Sequence, residues 1–284
     1  MLFEEDNLNI QVKKELRQKR LKELASIKLP VELLGNRKTR RRQEASHSKG
    51  AKGRRKRHDR QVRKLRTQIW ICDRHNLELI AQSETEPWYQ WHFSNGCLDE
   101  TGNLVIEFVR YKDFATNQYL REVATGKTTT PAEGQLWQIV LDPKTAQILD
   151  SFPLLERHCA FPLPNPQFVG KSWRYTYLST HRNEVINSGK MTEEVLTAIA
   201  RYDRQTSTIS ITDMGADIYP CEPIYVSNND NPGTGWLLTV VYNGNQDRSE
   251  VRIYQSDRLE DEPLCCLALT EVIPHGFHGT WSSQ

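Results

Sequence analysis

The sequence predicts an all-β domain preceded by a basic arm, and three observations carry that prediction. Runs rich in β-branched and aromatic residues recur from residue 67 onward. They are bounded by Gly, Pro, Asn and Asp turns. Helical periodicity is almost absent beyond that point. Short strands at regular spacing suit a sandwich, a barrel or a propeller, and pattern alone leaves all three open.

Charge divides the 284 residues near residue 66. Residues 1–66 hold 22 of the 38 Lys+Arg and only 8 of the 36 Asp+Glu, so the net charge of +2 conceals a basic arm and an acidic remainder. Leu8, Ile10, Val12, Leu16, Leu21, Leu24 and Ile27 follow no clean helical period, enough for one marginal helix at most. Residues 37–66 have hardly an apolar side chain, and such a segment cannot bury enough surface to offset its ordering entropy. The expected organisation is therefore a disordered arm over 1–66 and a folded domain over 67–284. Such an arm is drawn to phosphates by charge. It lacks interleaved aromatics for base stacking, so a nucleic-acid partner is not expected. A solvated tail, or a remnant in place of a lost domain half, is the preferred reading.

The strand-like runs are Thr67–Cys72, 104–109, 135–141, 173–178, 236–242 and 250–254. Two linkers, 142–145 with Asp-Pro-Lys-Thr and 202–206 with Tyr-Asp-Arg-Gln-Thr, each follow one strand and precede another, as hairpin turns in repeated antiparallel units do. The six cysteines form no CxxC pair and no secretory h-region opens the chain, which argues against a disulfide framework or zinc knuckle. Buried free thiols in a reducing cytoplasm are expected. No run approaches the roughly 18–20 apolar residues that a membrane span needs, so any membrane contact is peripheral.

Three segments carry candidate chemistry. In Glu86-Pro87-Trp88-Tyr89-Gln90-Trp91-His92-Phe93-Ser94-Asn95-Gly96, a histidine stands among aromatics. Cys221-Glu222-Pro223-Ile224-Tyr225-Val226 places a glutamate before a proline. In Pro274-His275-Gly276-Phe277-His278-Gly279-Thr280-Trp281, glycines and aromatics surround His278, a setting suited to aiming one imidazole at one point. His275 lies three residues earlier, and in an extended segment that spacing sends the two side chains to opposite faces, so it is read as flanking only.

Together with Cys159-Ala160-Phe161-Pro162 and the 235–242 and 247–250 segments, these motifs resemble the carotenoid cleavage oxygenases, non-haem iron enzymes that include the retinal pigment epithelium isomerase. The resemblance runs from about residue 67 to the C-terminus, the later half of a typical member. It implies a partial seven-bladed β-propeller of about four blades, with Fe(II) on the axis. It implies His92 and His278 as metal ligands, with Glu222 orienting His278. The implied reaction is O2-dependent cleavage of a polyene double bond in a carotenoid or apocarotenoid. Ala160 departs from the pattern, because the family places there a glutamate that accepts the N–H of the histidine matching His92. Loss of such a partner typically costs 10–100-fold in metal affinity or activity, and Glu156 or His158 would have to replace it. The family's first two histidine ligands have no counterpart in 1–66, where only His47 and His58 occur. Two other readings stay open: a catalytically silent fragment that self-associates or recruits partners through open sheet edges, and a basic-arm binder of nucleic acid or anionic surfaces.

Overall fold

The computed structural model describes residues 66–282 apart from 126, 132, 190–194, 232 and 277. The expected disorder of the basic arm, and with it His47 and His58, therefore lies outside the described residues apart from Arg66. Among the described residues the regular structure is mainly antiparallel strand, with two short α-helices and one 3-10 turn at Pro166–Phe168.

The first unit is a hairpin of β1 (Thr67–Cys72) and β2 (Leu79–Thr85). Its turn is closed by Asp73, whose carboxylate accepts the backbone N–H groups of His75 and Asn76. A four-stranded sheet follows, with β3 (Tyr89–Leu98), β4 (Leu104–Tyr111), β5 (Gly134–Leu141) and β6 (Ile148–Leu155) paired in chain order. Helix α1 (Thr116–Val123) lies in the β4–β5 connection. The next sheet repeats the plan with β7 (Cys159–Pro164), β8 (Tyr175–Thr180), β9 (Ala198–Asp203) and β10 (Thr208–Ile211). Helix α2 (Asn183–Ser188) sits between β8 and β9. In the last sheet, β11 (Ile218–Pro220) and β12 (Ile224–Ser227) both pair along β13 (Gly235–Asn243), followed by β14 (Arg248–Gln255) and β15 (Cys265–Ala268).

The six expected strands are all present, one of them displaced. The run 173–178 becomes β8 at Tyr175–Thr180, with Trp173 and Arg174 just ahead of it. The Trp173 indole donates to Thr176 Oγ1 at 3.1 Å, and the Arg174 guanidinium holds Asp203 at 2.7 Å. Both expected hairpin linkers do join strands, β5 to β6 and β9 to β10.

The core lies between successive sheets. Phe108, Ile139 and Leu141 pack with Ile69 and Trp88 below the first hairpin. Val109, Tyr111, Leu136, Leu178, Ala200 and Tyr202 fill the next layer. Tyr177, Ile199, Leu237, Val241, Tyr254 and Leu259 fill the third. The alternating burial of β13 shows why one strand serves two environments: its side chains point to opposite faces in turn. Gly235 opens that strand because a Cβ there would run into the Val226 carbonyl and lie 2.7 Å from the Tyr225 ring. The six cysteines are unpaired as expected, but only Cys159 is buried, and Cys72 and Cys266 are exposed.

One irregularity recurs in the first strand of every complete sheet. Strand β3 loses register between Gln90 and Phe93, and again before Gly96. Strand β7 loses it between Ala160 and Leu163, where Phe161 adopts a φ of 52°. In the last sheet the break is complete, and Cys221-Glu222-Pro223 separates β11 from β12. Such interruptions turn a side chain out of the alternating pattern and aim it elsewhere. His92, Phe161 and Glu222 sit at the three breaks.

Candidate metal centre

Strands β3 and β7 pack against each other, and their breaks bring His92 and Phe161 together with ring centroids 4.6 Å apart. The C-terminal segment then crosses the same place. Its His278 ring lies 5.3 Å from that of His92 at 76°, and 5.7 Å from Phe161 at 82°. Two imidazoles on one ion stand roughly 4.5–5.5 Å apart between centroids, for metal–nitrogen bonds of about 2.0–2.1 Å and bond angles of roughly 90–120°. The His92–His278 spacing falls within that interval.

Glu222 fixes the second imidazole. His278 Nδ1 lies 3.0 Å from Glu222 Oε2, and the backbone N–H of Gly279 donates to Oε1 of the same carboxylate. With Nδ1–H given to the carboxylate, Nε2 keeps its lone pair and is the nitrogen free to ligate. A Cβ at Gly279 would approach Ile224 Cδ1 to 2.8 Å, so the end of that side chain would have to shift.

His92 is held differently. Burial, then the neighbouring His278, pushes its pKa down to about 4, so its imidazole is neutral near pH 7. Its Nδ1 is buried without a hydrogen-bond partner. Neither Glu156 nor His158 therefore takes the place that a carboxylate at 160 would fill. His158 instead neighbours His181, at a centroid distance of 6.3 Å. Among the described residues no group of three or more His, Cys, Asp and Glu is arranged to hold a metal. The site offers two imidazoles and one orienting carboxylate.

A cavity of about 290 Å3 opens beside the imidazole pair. Its walls are largely apolar, from Trp91, Leu120, Val123, Phe161, Val195 and Leu196, and Trp91 is itself pinned by its indole N–H to Thr116 Oγ1 of α1 at 3.2 Å. A second, wider cavity of about 920 Å3 shares His92, Phe161 and His278 and adds Glu222 and Trp281. His275 also lines the first cavity. The described residues around it belong to no strand, so strand alternation does not fix their faces. His158, Ser179 and His181 also line this cavity; from the sequence, His158 enters only as a stand-in for the missing glutamate, and Ser179 and His181 are not singled out. A buried histidine that follows a strand has no local signature.

His181 makes stability depend on pH. Burial first, then His158 and Arg157, pushes its pKa down to about 4. The unfolded chain takes up this proton at about pH 6.5, so the stabilisation is complete above that value and is lost as pH falls toward 4. The loss attributable to His181 is about 3 kcal/mol. Urea unfolding at pH 7.5 and 5.0 should show about 2 kcal/mol of it, and His181→Phe is expected to remove that share of the loss.

No helix among the described residues is long and apolar enough to cross a membrane. The family model for retinal pigment epithelial membrane protein matches residues 49–283. The apocarotenoid-15,15'-oxygenase of Synechocystis sp. is 26% identical over 208 residues, covering 72% of this chain and 40% of that protein. Resveratrol cleavage oxygenase 1 of Botryotinia fuckeliana is 22% identical over 206 residues, with 68% and 36% covered. Among solved structures, cobalt-substituted Synechocystis ACO superposes with a TM-score of 0.65 at 24% identity, over 78% of this chain and 45% of that one. The chain thus spans less than half the length of these relatives. With a model matching most of its length and the same fold, the chain belongs to the retinal pigment epithelial membrane protein family.

Proposed function

We propose that the chain carries the later part of a non-haem Fe(II) oxygenase that cleaves a polyene double bond of a carotenoid or apocarotenoid with O2. The observation that carries this reading is the His278–Glu222 pair standing beside the neutral imidazole of His92. Fe(II) bound here would supply O2 activation. Hard and borderline metals accept open positions, so two imidazoles are compatible with a weakly held ion.

The chain's own residues prepare the place. Glu222 takes the Nδ1 proton of His278 and fixes its tautomer. Burial keeps His92 unprotonated. Phe161 sits against both imidazoles, and the apolar cavity walls accommodate a hydrocarbon while keeping water out. The four sheets are read as part of a seven-bladed propeller over residues 67–284, behind a basic arm over 1–66.

A cleavage assay on the chain loaded anaerobically with Fe(II), then given an apocarotenal and 18O2, tests this. Chromatographic loss of substrate, 18O in the shortened carbonyl products and no turnover in His278→Ala support the reading. A chain that retains iron yet cleaves none of a panel of apocarotenals contradicts it. A specific observation favours a second reading, a silent fragment that self-associates. Trp70 in β1 is 62% exposed, and Leu79 and Ile80 in β2 and Leu267 in β15 are also exposed at the two ends of the strand series. Self-association predicts a mass that rises with concentration in sedimentation.

A further inference from the structure

The tail that carries His278 has little of its own to hold it in place. Beyond β15 no described residue belongs to a strand or helix, and residues 270–276 and 278–282 are all exposed. Ordering such a segment costs conformational entropy that so little burial does not offset, so polar contacts decide where it lies. Three residues of the last sheet and its break supply those contacts, in order along the tail. Ser249 of β14 is fully buried. Its carbonyl accepts the Leu269 N–H at 2.9 Å, and its hydroxyl accepts the Ile273 N–H at 2.8 Å and lies 3.4 Å from the Ile273 carbonyl. Cys221, in the break between β11 and β12, accepts the Gly276 N–H on its sulfur at 3.4 Å, with His275 Nδ1 3.9 Å from the same atom. Glu222 then takes His278 and Gly279.

We propose that Ser249 and Cys221 are positioning residues for the metal centre, latching the tail so that His278 reaches Glu222 and His92. Both stand on the frame of the last sheet. Ser249 is paired with Tyr242 in the β13–β14 ladder. The Cys221 N–H donates to the Val240 carbonyl at 2.8 Å, and its own carbonyl accepts the Thr239 hydroxyl of β13 at 3.1 Å. The latch acts on affinity through the fraction of time that His278 spends in place, because a ligand present for only part of the time lowers the apparent affinity by that fraction. Ser249 is the stronger peg, since one hydroxyl meets both the N–H and the carbonyl of Ile273. Sulfur is a weak acceptor, so Cys221 contributes less.

The inference rests on the reading of His92 and His278 as metal ligands, and two measurements on the full chain test it. Co(II) titration followed by visible absorption is expected to show affinity falling about tenfold in Ser249→Ala and about threefold in Cys221→Ala, the loss of two hydrogen bonds and of one weak one. Cys221→Ser keeps an acceptor for the Gly276 N–H and is expected to bind Co(II) more tightly than Cys221→Ala. In the metal-free chain, amide hydrogen exchange over residues 269–279 should quicken in both alanine variants while β13 keeps its protection. A residue that only stabilised the domain would quicken exchange in β13 as well, and that result would overturn the proposal. So would Co(II) affinity unchanged in both alanine variants. If Ser249→Ala does not fold, the two Cys221 variants decide the question. No saturable Co(II) uptake by the unmodified chain would sink the metal reading and the latch with it, whereas uptake that neither variant weakens would sink the latch alone.

Discussion

Glu107→Ala is expected to lower the unfolding free energy by about 3–5 kcal/mol, the usual cost of removing one partner of a buried ion pair. Glu107 is fully buried in β4. Its carboxylate accepts the Thr176 hydroxyl of β8 at 2.6 Å and pairs with Arg204 at the end of β9. Arg204 also donates to Gln138 of β5 and stacks over Trp173, 4.1 Å from the ring centroid. One side chain therefore ties the first four-stranded sheet to the second. Removing it strands a guanidinium that is only 17% exposed and leaves the Thr176 hydroxyl without its acceptor. Most of the loss comes from that leftover charge, so the double variant Glu107→Gln with Arg204→Met should recover much of it. Urea unfolding with an unchanged slope checks both. A loss below about 1 kcal/mol for Glu107→Ala would place the pair among ordinary surface bridges.

Glu222→Gln is expected to weaken divalent metal binding 10–100-fold with little change in fold. The carboxylate accepts from two donors at once, His278 Nδ1 and the Gly279 backbone N–H, one on each oxygen. An amide offers one acceptor oxygen, so one of the two bonds is lost and an N–H₂ group faces a donor. Nothing then enforces the tautomer that leaves Nε2 of His278 free. Co(II) titration followed by its visible absorption measures the affinity, with far-UV circular dichroism as the control. Unchanged affinity would mean that the His278–Glu222 pair is a structural contact. The complementary change, Ala160→Glu, is expected to raise affinity, because it returns a carboxylate to the strand that packs against the unpartnered His92.

How much of this was legible depended on whether a residue's surroundings are local. Glu222 and His278 could be found because the short segments that hold them resemble family motifs, the local sequence alone being a weak hint, and the structure joins them by a 3.0 Å contact. His92 could be found by resemblance, but not its setting inside a strand, because the break at Gln90–Phe93 depends on β4 and β7 as much as on its own sequence. Strand β7 went unread for a similar reason. Its Cys-Ala-Phe-Pro-Leu-Pro carries two prolines and fits no simple alternation, yet it pairs with β8 on either side of its bulge. Strand β8 starts two residues later than the run of β formers, so propensity located the strand but not its first residue. His158, Ser179 and His181 meet only in three dimensions, and periodicity does not report that.

The central claim is that His92 and His278 hold one metal ion with Glu222 behind them. Iron per chain after anaerobic loading with Fe(II), compared between this chain and His278→Ala, tests it most directly. The account predicts saturable uptake approaching one iron per chain, lost in the variant. Absence of saturable iron, or equal uptake by both, would contradict it.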